Sequence, residues 1–283
     1  MKSVSSAESL RRILAKEKSE GKTIGLVPTM GFLHEGHLSL VKKSKAKADI
    51  TIVSIFVNPT QFAPNEDLLK YPRDIKRDKQ LLKNAGVDYV FIPSADEIYP
   101  EGFQTFVEVG KITKHLEGET RPIHFRGVAT VVTILFNIVR PDYAFFGQKD
   151  AQQAAVIKRM VKDLKSGIEI TVCPIIREQD GLAKSSRNIY LSPQERKDAL
   201  VLSRSLKIAE KLIKEGKRSS AVIINKMNEV ISFVNSSKLD YIKIVDEEKF
   251  EEVVKLSVGG KYYILIACKI GKTRLIDNIL FGI

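Results

Sequence analysis

Thr23–Leu40, TIGLVPTMGFLHEGHLSL, is the stretch whose reading decides the fold. An apolar strand-like run ends at Pro28, a glycine turn follows at Gly31, and His34 and His37 stand three residues apart where a helix begins. The start of a helix offers unpaired N–H groups and the positive end of its dipole, and two imidazoles there add directional donors. Such a place suits a negatively charged ligand, a phosphate above all. Gly31 and Gly36 fit that reading, because residues without a Cβ let the backbone approach a ligand closely.

The same alternation continues outward. Strand-like runs at 23–28, 50–57, 87–92, 143–147 and 168–176 are separated by helical patterns that include 37–48, 74–85, 126–139 and 150–165. Strands alternating with helices imply parallel pairing through helical crossovers, an open α/β sheet. TFVEVG at 105–110 is expected as an extra strand. Beyond about residue 177 the texture changes. Ser192-Pro193-Gln194-Glu195 has the form of a capping box with proline at the first helical position. It opens a charged amphipathic helix expected to reach about Lys214, followed by a helix over roughly 219–234 and strands at 239–245, 262–270 and 273–277. Helices followed by neighbouring strands suggest a smaller α+β domain. The expected division is 1–177 and 178–283.

Composition narrows the class without choosing a function. The 283 residues are 43% hydrophobic and 28% charged, as in an ordinary soluble globular protein. No run approaches the roughly 18 uncharged apolar residues of a membrane span, and the N-terminus has no apolar signal-like region, so the cytoplasm is expected. The net charge of +12 raises nucleic acid as a partner. Residues 1–177 carry 27 basic and 20 acidic side chains, and residues 178–283 carry 19 and 14, so the excess is spread rather than gathered. No zinc-finger spacing or aromatic pattern of an RNA-binding sheet accompanies it, so a nucleic-acid partner is not expected. A basic balance equally suits an enzyme with several anionic ligands. Cys173 and Cys268 sit in apolar runs and read as buried structural thiols.

Ligands of open parallel sheets bind outside the carboxyl ends of the strands. Four polar motifs fall at expected strand ends: TMGFLHEGH, Asn58-Pro59-Thr60-Gln61-Phe62, Gln148-Lys149-Asp150, and a longer loop with Lys184-Ser185-Ser186-Arg187. Each also has a plain structural explanation. The histidines can be satisfied structural residues, Asn58-Pro59 a turn opener, Asp150 a helix N-cap and the basic loop a solvated face. A metalloprotease-type zinc pair needs a spacing of four, not three, so no metal ligands are assigned. Lys149 is the odd residue, since a cation at a helix N-terminus opposes the dipole unless an anion binds there. Gln152 and Gln153 lie in the first turn of that helix, where one of them can face the same ligand. Lys184 and Arg187 read as an anion clamp, arginine binding phosphate bidentately and lysine acting as a point charge. His115 and His124 are not expected to be catalytic.

Taken together, HEGH after a Pro-Thr-Met-Gly turn, FVNPTQF, FFGQKD with a following glutamine pair, and SSRN resemble the pantothenate synthetase (pantoate–β-alanine ligase) family over about residues 23–191. HEGH alone is similar to the HxGH signature of the wider nucleotidyltransferase superfamily. The resemblance implies a Rossmann-like domain with a smaller C-terminal lid domain, a homodimer, and ATP with Mg²⁺. It also implies condensation of pantoate with β-alanine through a pantoyl adenylate, releasing AMP and pyrophosphate. It places Met30, Gly31, His34, His37, Gly147, Gln148, Lys149, Asp150, the main chain at Ile176, Lys184, Ser185, Ser186 and Arg187 at ATP. His37, His34 and Lys149 would be catalytic, with His37 in the proton-donor position. Gln61 and Gln153 would hold pantoate, Gln61 and Asn58 would meet β-alanine, and Arg121 would line the substrate pocket. Lys184 departs from the family, many members of which have methionine there.

Overall fold

A computed structural model describes residues 1–64 and 66–283. By their internal contacts these residues form two units, Met1–Gly147 with Gln152–Pro174, and Gln148–Ala151 with Ile175–Ile283. The first unit holds β1 (Lys2–Val4), β2 (Ile24–Thr29), β3 (Ile50–Ile55), β4 (Tyr89–Phe91), β5 (Tyr143–Gly147) and β6 (Glu169–Cys173), all parallel, in the order β1-β4-β3-β2-β5-β6. The expected open parallel sheet is therefore present. β3, ITIVSI, is buried at every position, as a strand covered on both faces must be.

The helices of this unit are α1 (Ala7–Ser19), α2 (Glu35–Lys45), α3 (Ile75–Asn84), α4 (Ala95–Ile98), α5 (Glu117–Thr120) and α6 (His124–Val139), with α7 (Ala151–Asp163) starting where the chain passes from one unit to the other. α2 seats against β2, β3 and β5 through Leu40, Val41 and Ser44. Its close approach depends on Gly25, the second residue of β2. A Cβ there would lie 2.3 Å from Ser44 Oγ and 3.0 Å from Ala48 Cβ. Val27, Leu33, Leu40, Val41, Val53, Ile55, Leu82 and Phe145 belong to the core cluster under this helix.

The strand order reverses direction at β2 and β5. From β2 the chain proceeds to β3 and then β4 on one side, whereas β5 and β6 lie on the other. Among the described residues β2 and β5 are registered only at Gly25 with Tyr143 and Leu26 with Ala144. Their carboxyl halves thus run without mutual ladder bonds. A reversal of this kind is where open α/β sheets bind ligands, and the loops holding HEGH and Gln148-Lys149-Asp150 both leave from it.

Two local expectations need correction, and one strand was not foreseen. Residues 105–110 form no strand; they run as irregular chain, with Val107 N donating to Thr130 Oγ1. A three-residue strand at Lys2–Val4, paired only with β4, was too short to carry a periodic signal. The helix from Pro193 is interrupted. Its capping box forms, Ser192 Oγ accepting from Glu195 N and Glu195 Oε2 from Ser192 N. The chain then breaks at buried Ala199 into α8 (Pro193–Asp198) and α9 (Leu200–Lys214). With α10 (Ser220–Ser232) and the antiparallel strands β7 (Ser237–Asp246), β8 (Lys261–Ile270) and β9 (Thr273–Gly282), these complete the second unit. Cys173 and Cys268 are free and buried, and burial pushes both thiols up, Cys268 to about 11. No described helix is long and apolar enough to cross a membrane.

Gly25→Ala should unseat α2 by overpacking. We expect a loss of about 1–3 kcal/mol, read as a lower urea midpoint with an unchanged far-UV spectrum at zero denaturant.

Candidate active site

The turn between β2 and α2 is held by backbone chemistry that its sequence dictates. His34 is the N-cap of α2 in extended conformation, and its Nδ1 accepts from Gly36 N at 3.1 Å. His37 answers from the third helical position, its Nδ1 accepting from His34 N at 3.2 Å. Two imidazoles thus occupy the roles that serine and glutamate fill in an ordinary capping box. The ring centroids lie 4.1 Å apart. Because each Nδ1 is an acceptor, each neutral ring carries its proton on Nε2, so both rings are Nε2–H donors. The intervening glycine is needed for this arrangement, since a Cβ on Gly36 would lie 2.8 Å from His34 Nδ1 and Cε1.

Upstream, Gly31 (φ +83°) and Phe32 (φ +50°) turn the chain through left-handed conformations. A fully buried carboxylate from the first turn of α3 fixes that turn. Asp78 Oδ2 accepts from Phe32 N at 2.7 Å and Oδ1 from Leu33 N at 2.8 Å. Burial pushes the Asp78 carboxyl up, while the two amides that it accepts from pull the other way. Thr29 Oγ1 accepts from Gly31 N and donates to Ser54 O, tying the turn to β3.

The loop after β3 is the second element. Asn58 is 1% exposed, and its polar atoms are engaged. Nδ2 donates to Gln61 Oε1 and Gly127 O, both at 3.1 Å, and Oδ1 accepts from Thr60 Oγ1 at 2.9 Å and Tyr99 Oη at 2.8 Å. Gln61, held in this way, donates from Nε2 to Met30 Sδ at 3.0 Å. A thioether is a weak acceptor, so an amide donor buried in front of it is suited to a better one. The main chain of Gln61 is braced too: its carbonyl accepts from His124 Nδ1 at 3.1 Å and from Arg121 Nη2 at 3.5 Å. Burial pushes His124 down to about 4, so the ring is neutral at physiological pH with Nδ1 as donor. Arg121 spends its fork on Glu66, at 2.9 and 2.7 Å. α6 reaches this loop only because Gly127 has no side chain; a Cβ there would lie 2.5 Å from Thr60 O.

The glutamine pair divides. Gln152 is buried and turned to the chain: Nε2 donates to Ile112 O and His115 O, and Oε1 accepts from Glu117 N. Gln153 is half-buried on the first turn of α7.

The remaining candidates belong to the second unit. Gln148–Asp150 form a 3₁₀ turn directly after β5, and α7 begins one residue past Asp150. Lys149 Nζ lies 3.7 Å from Asp150 Oδ1. The loop that the sequence suggested as an anion clamp is a hairpin. Lys184 N donates to Ile176 O, Glu178 N to Leu182 O, and Gly181 (φ +101°) makes the tip. Lys184 Nζ pairs with Glu178 at 3.1 Å. Ser185 then caps the 3₁₀ turn Ser186–Tyr190, its Oγ accepting from Arg187 N at 3.3 Å.

The model of the pantoate–β-alanine ligase family matches residues 2–280. The chain belongs to that family. It is 57% identical over 277 residues to the pantothenate synthetase of Caldicellulosiruptor bescii, covering 98% of each chain. It is 53% identical to that of Thermotoga neapolitana, over the full length of both. Its structure is similar to the crystal structure of pantothenate synthetase from Thermus thermophilus, with a TM-score of 0.93 and 44% identity over 99% of both chains. A ligase structure from Francisella tularensis, complexed with beta-gamma ATP and beta-alanine, matches with a TM-score of 0.79 at 38% identity, over 99% of this chain and 97% of that one.

Within this ligase fold, three residues that brace the candidate site had no motif to mark them. Asp78, Tyr99 and His124 all act on backbone or on other side chains across long sequence separations. Only buried polarity hints at them, as in an aspartate inside an otherwise amphipathic helix.

Gly36→Ala is expected to drive the His34 ring out of its cap and to lower turnover at least tenfold, with the parent's thermal midpoint lowered by a few degrees at most. Steady-state assays beside a melting curve check this. His124 binds a proton in the unfolded chain below about 6.5 but in the folded one only near 4. Its contribution to stability is full above 6.5 and is lost as pH falls through 4. Between pH 7.5 and 4.5 the parent should therefore lose on the order of 2 kcal/mol more than His124→Gln, measured by urea titration at both values.

Proposed function

We propose that this ligase activates pantoate with ATP as an acyl adenylate and then passes the acyl group to β-alanine, releasing pyrophosphate and AMP. The paired Nε2–H imidazoles at the start of α2, where the sheet reverses its strand order, carry this reading. The Francisella relative in complex with beta-gamma ATP and beta-alanine supports it.

A carboxylate is a poor acylating agent, because its leaving group would be oxide. In the first step a pantoate carboxylate oxygen attacks the α-phosphorus, and the bond to the bridging oxygen breaks with pyrophosphate as leaving group. In the second the β-alanine amine attacks the acyl carbonyl, AMP leaves, and the amine loses a proton. An anion approaches a polyanion in step one, so the principal task is neutralisation of charge rather than covalent catalysis. Preorganised donors aimed at developing charge contribute about 3–4 kcal/mol each. His34 and His37 supply two such donors from the first unit, where Met30 and Gly31 bound the nucleotide. The motif assignment gives the second unit Gln148, Lys149, Asp150, the Ile176 main chain, Lys184, Ser185, Ser186 and Arg187; Gly147 precedes them on β5.

Gln61 and Gln153 orient pantoate, Gln61 by exchanging Met30 Sδ for a ligand oxygen. Asn58 serves β-alanine through Gln61, since its own amide is committed to Gln61, Gly127, Thr60 and Tyr99. Well-aligned reactants gain about 7–11 kcal/mol from orientation alone, which makes a rigid Gln61 valuable. Mg²⁺ fits as a companion of the nucleotide. Among the described residues no group of three or more carboxylate, imidazole or thiol side chains could hold an ion. Magnesium commonly relies on substrate phosphates and one or two carboxylates. When bound it neutralises phosphate charge.

Incubation with ATP and pantoate should support exchange of labelled pyrophosphate into ATP without β-alanine, and AMP should accumulate only when β-alanine is added. Pyrophosphate release with no AMP would instead indicate a simple adenylyltransferase. Lys149→Ala and His37→Ala should each lower kcat by about 10²–10³-fold while keeping the parent's circular dichroism. Near-normal turnover in either removes that residue from the mechanism.

A further inference from the structure

The second unit contains a buried polar chain that no motif announces. Asn278 on β9 is 1% exposed, and its side chain is spent on the segment holding Lys149. Asn278 Nδ2 donates to Gln148 O at 2.9 Å and to Lys149 O at 3.0 Å, and Oδ1 accepts from Gln148 Nε2 at 3.1 Å. Its neighbour Asp277, 3% exposed, takes Arg177 in a fork: Nη1 to Oδ2 at 2.6 Å and Nη2 to Oδ1 at 2.9 Å. Asp277 Oδ1 also accepts from Asn278 N at 2.7 Å. Arg177 Nη1 donates further to Gly181 O at 3.0 Å, the tip of the hairpin that leads into Lys184–Arg187.

We infer that Asn278 is a positioning residue for Lys149, and that Asp277-Asn278 is the shared anchor of both cationic segments of the second unit. The inference rests on the reading of Lys149 given above and extends it to a strand some 130 residues downstream. The chemistry favours position over mere stability. Lys149 lies in a 3₁₀ turn that follows β5 of the first unit yet groups by its contacts with the second. A turn of that length has few backbone bonds of its own. A side chain that donates to two successive carbonyls fixes the plane from which the Lys149 side chain departs. Asparagine alone combines two donors with an acceptor for Gln148 at this reach: leucine is isosteric but mute, and aspartate keeps the acceptor and loses both donors. An unfilled carbonyl pair here would leave Lys149 free to shift, and a displacement near 1 Å can cost about 100-fold in rate.

The test is a double-mutant cycle on the full-length enzyme, with Asn278→Ala, Asn278→Asp, Lys149→Ala and the double variants. Each is assayed for pyrophosphate exchange into ATP with pantoate alone, for overall AMP formation, and for its thermal midpoint. Asn278→Ala and Asn278→Asp should lower exchange by about 10- to 100-fold and leave KM for β-alanine within about twofold. Added to Lys149→Ala, either should change the remaining rate less than about threefold, because the lysine it positions is gone. A purely structural asparagine would multiply its loss equally in both backgrounds, and that result overturns the inference. So does exchange within threefold of the parent in both Asn278 variants, or failure of both to reach the parent's fold. Near-parent exchange in Lys149→Ala removes the underlying reading of the lysine, whereas a crippled Lys149→Ala beside unimpaired Asn278 variants rejects only the positioning.

Discussion

The reciprocal cap between His34 and His37 is the interaction around which the candidate site is arranged. It solves two problems with the same atoms. A helix start has N–H groups that need acceptors, and here both acceptors are imidazole Nδ1 atoms. Satisfying the backbone therefore decides the tautomer of each ring and turns each Nε2 into a donor. A serine–glutamate box would cap α2 as well, but it would present acceptors where the proposed chemistry wants donors. Gly36 follows from this geometry, because a Cβ at that position meets the ring it separates.

Around that cap the first unit spends buried polarity to hold short irregular segments. Asp78 grips the turn before it, Asn58 grips Gln61, and His124 with the Arg121–Glu66 pair grips the Gln61 carbonyl. Irregular backbone cannot satisfy itself as helices and strands do, so each segment needs an outside partner. The partners come from α3, from the chain at Tyr99 and from α6, elements that sheet packing already holds in place. Placement of the candidate ligand-binding groups is thus inherited from the core. The same logic requires glycine at 127, where α6 passes within contact of the Thr60 carbonyl.

What was legible in the sequence follows from the range of each interaction. β2, β3 and β5 announce themselves by apolar runs, and the cap of α8 by four adjacent residues. HEGH, NPTQ, QKD and KSSR are local because a loop at a strand end is local. Less legible were features decided by distant partners. β1 is a strand only because β4 accepts it, and TFVEVG, which has the composition of a strand, pairs with no described strand. Asn58 stands out in the sequence as a candidate, but nothing in NPTQ shows that its amide is consumed by Gly127 and Tyr99. The glutamine pair could not be divided from sequence, because the loop at 112–117 that takes Gln152 is 35 to 40 residues away.

The second unit shows how such distant dependence bears on chemistry. Its motif-bearing segments, 148–150 and 176–187, are short turns and a hairpin, while its bulk is three helices and a three-stranded sheet that carry no ligand-binding signature. Yet the hydrogen bonds run from the sheet to the turns: β9 offers Asp277 to Arg177 and Asn278 to the carbonyls of Gln148 and Lys149. A strand is a rigid support, and an antiparallel ladder registered from Thr273 to Gly282 is more so. Two cationic segments are thus anchored on one strand. For the proposed reaction, which would bring a carboxylate to a polyphosphate, a common anchor of this kind matters more than the strength of any single charge. In the proposed reaction a lysine off by one carbonyl plane would neutralise the wrong oxygen.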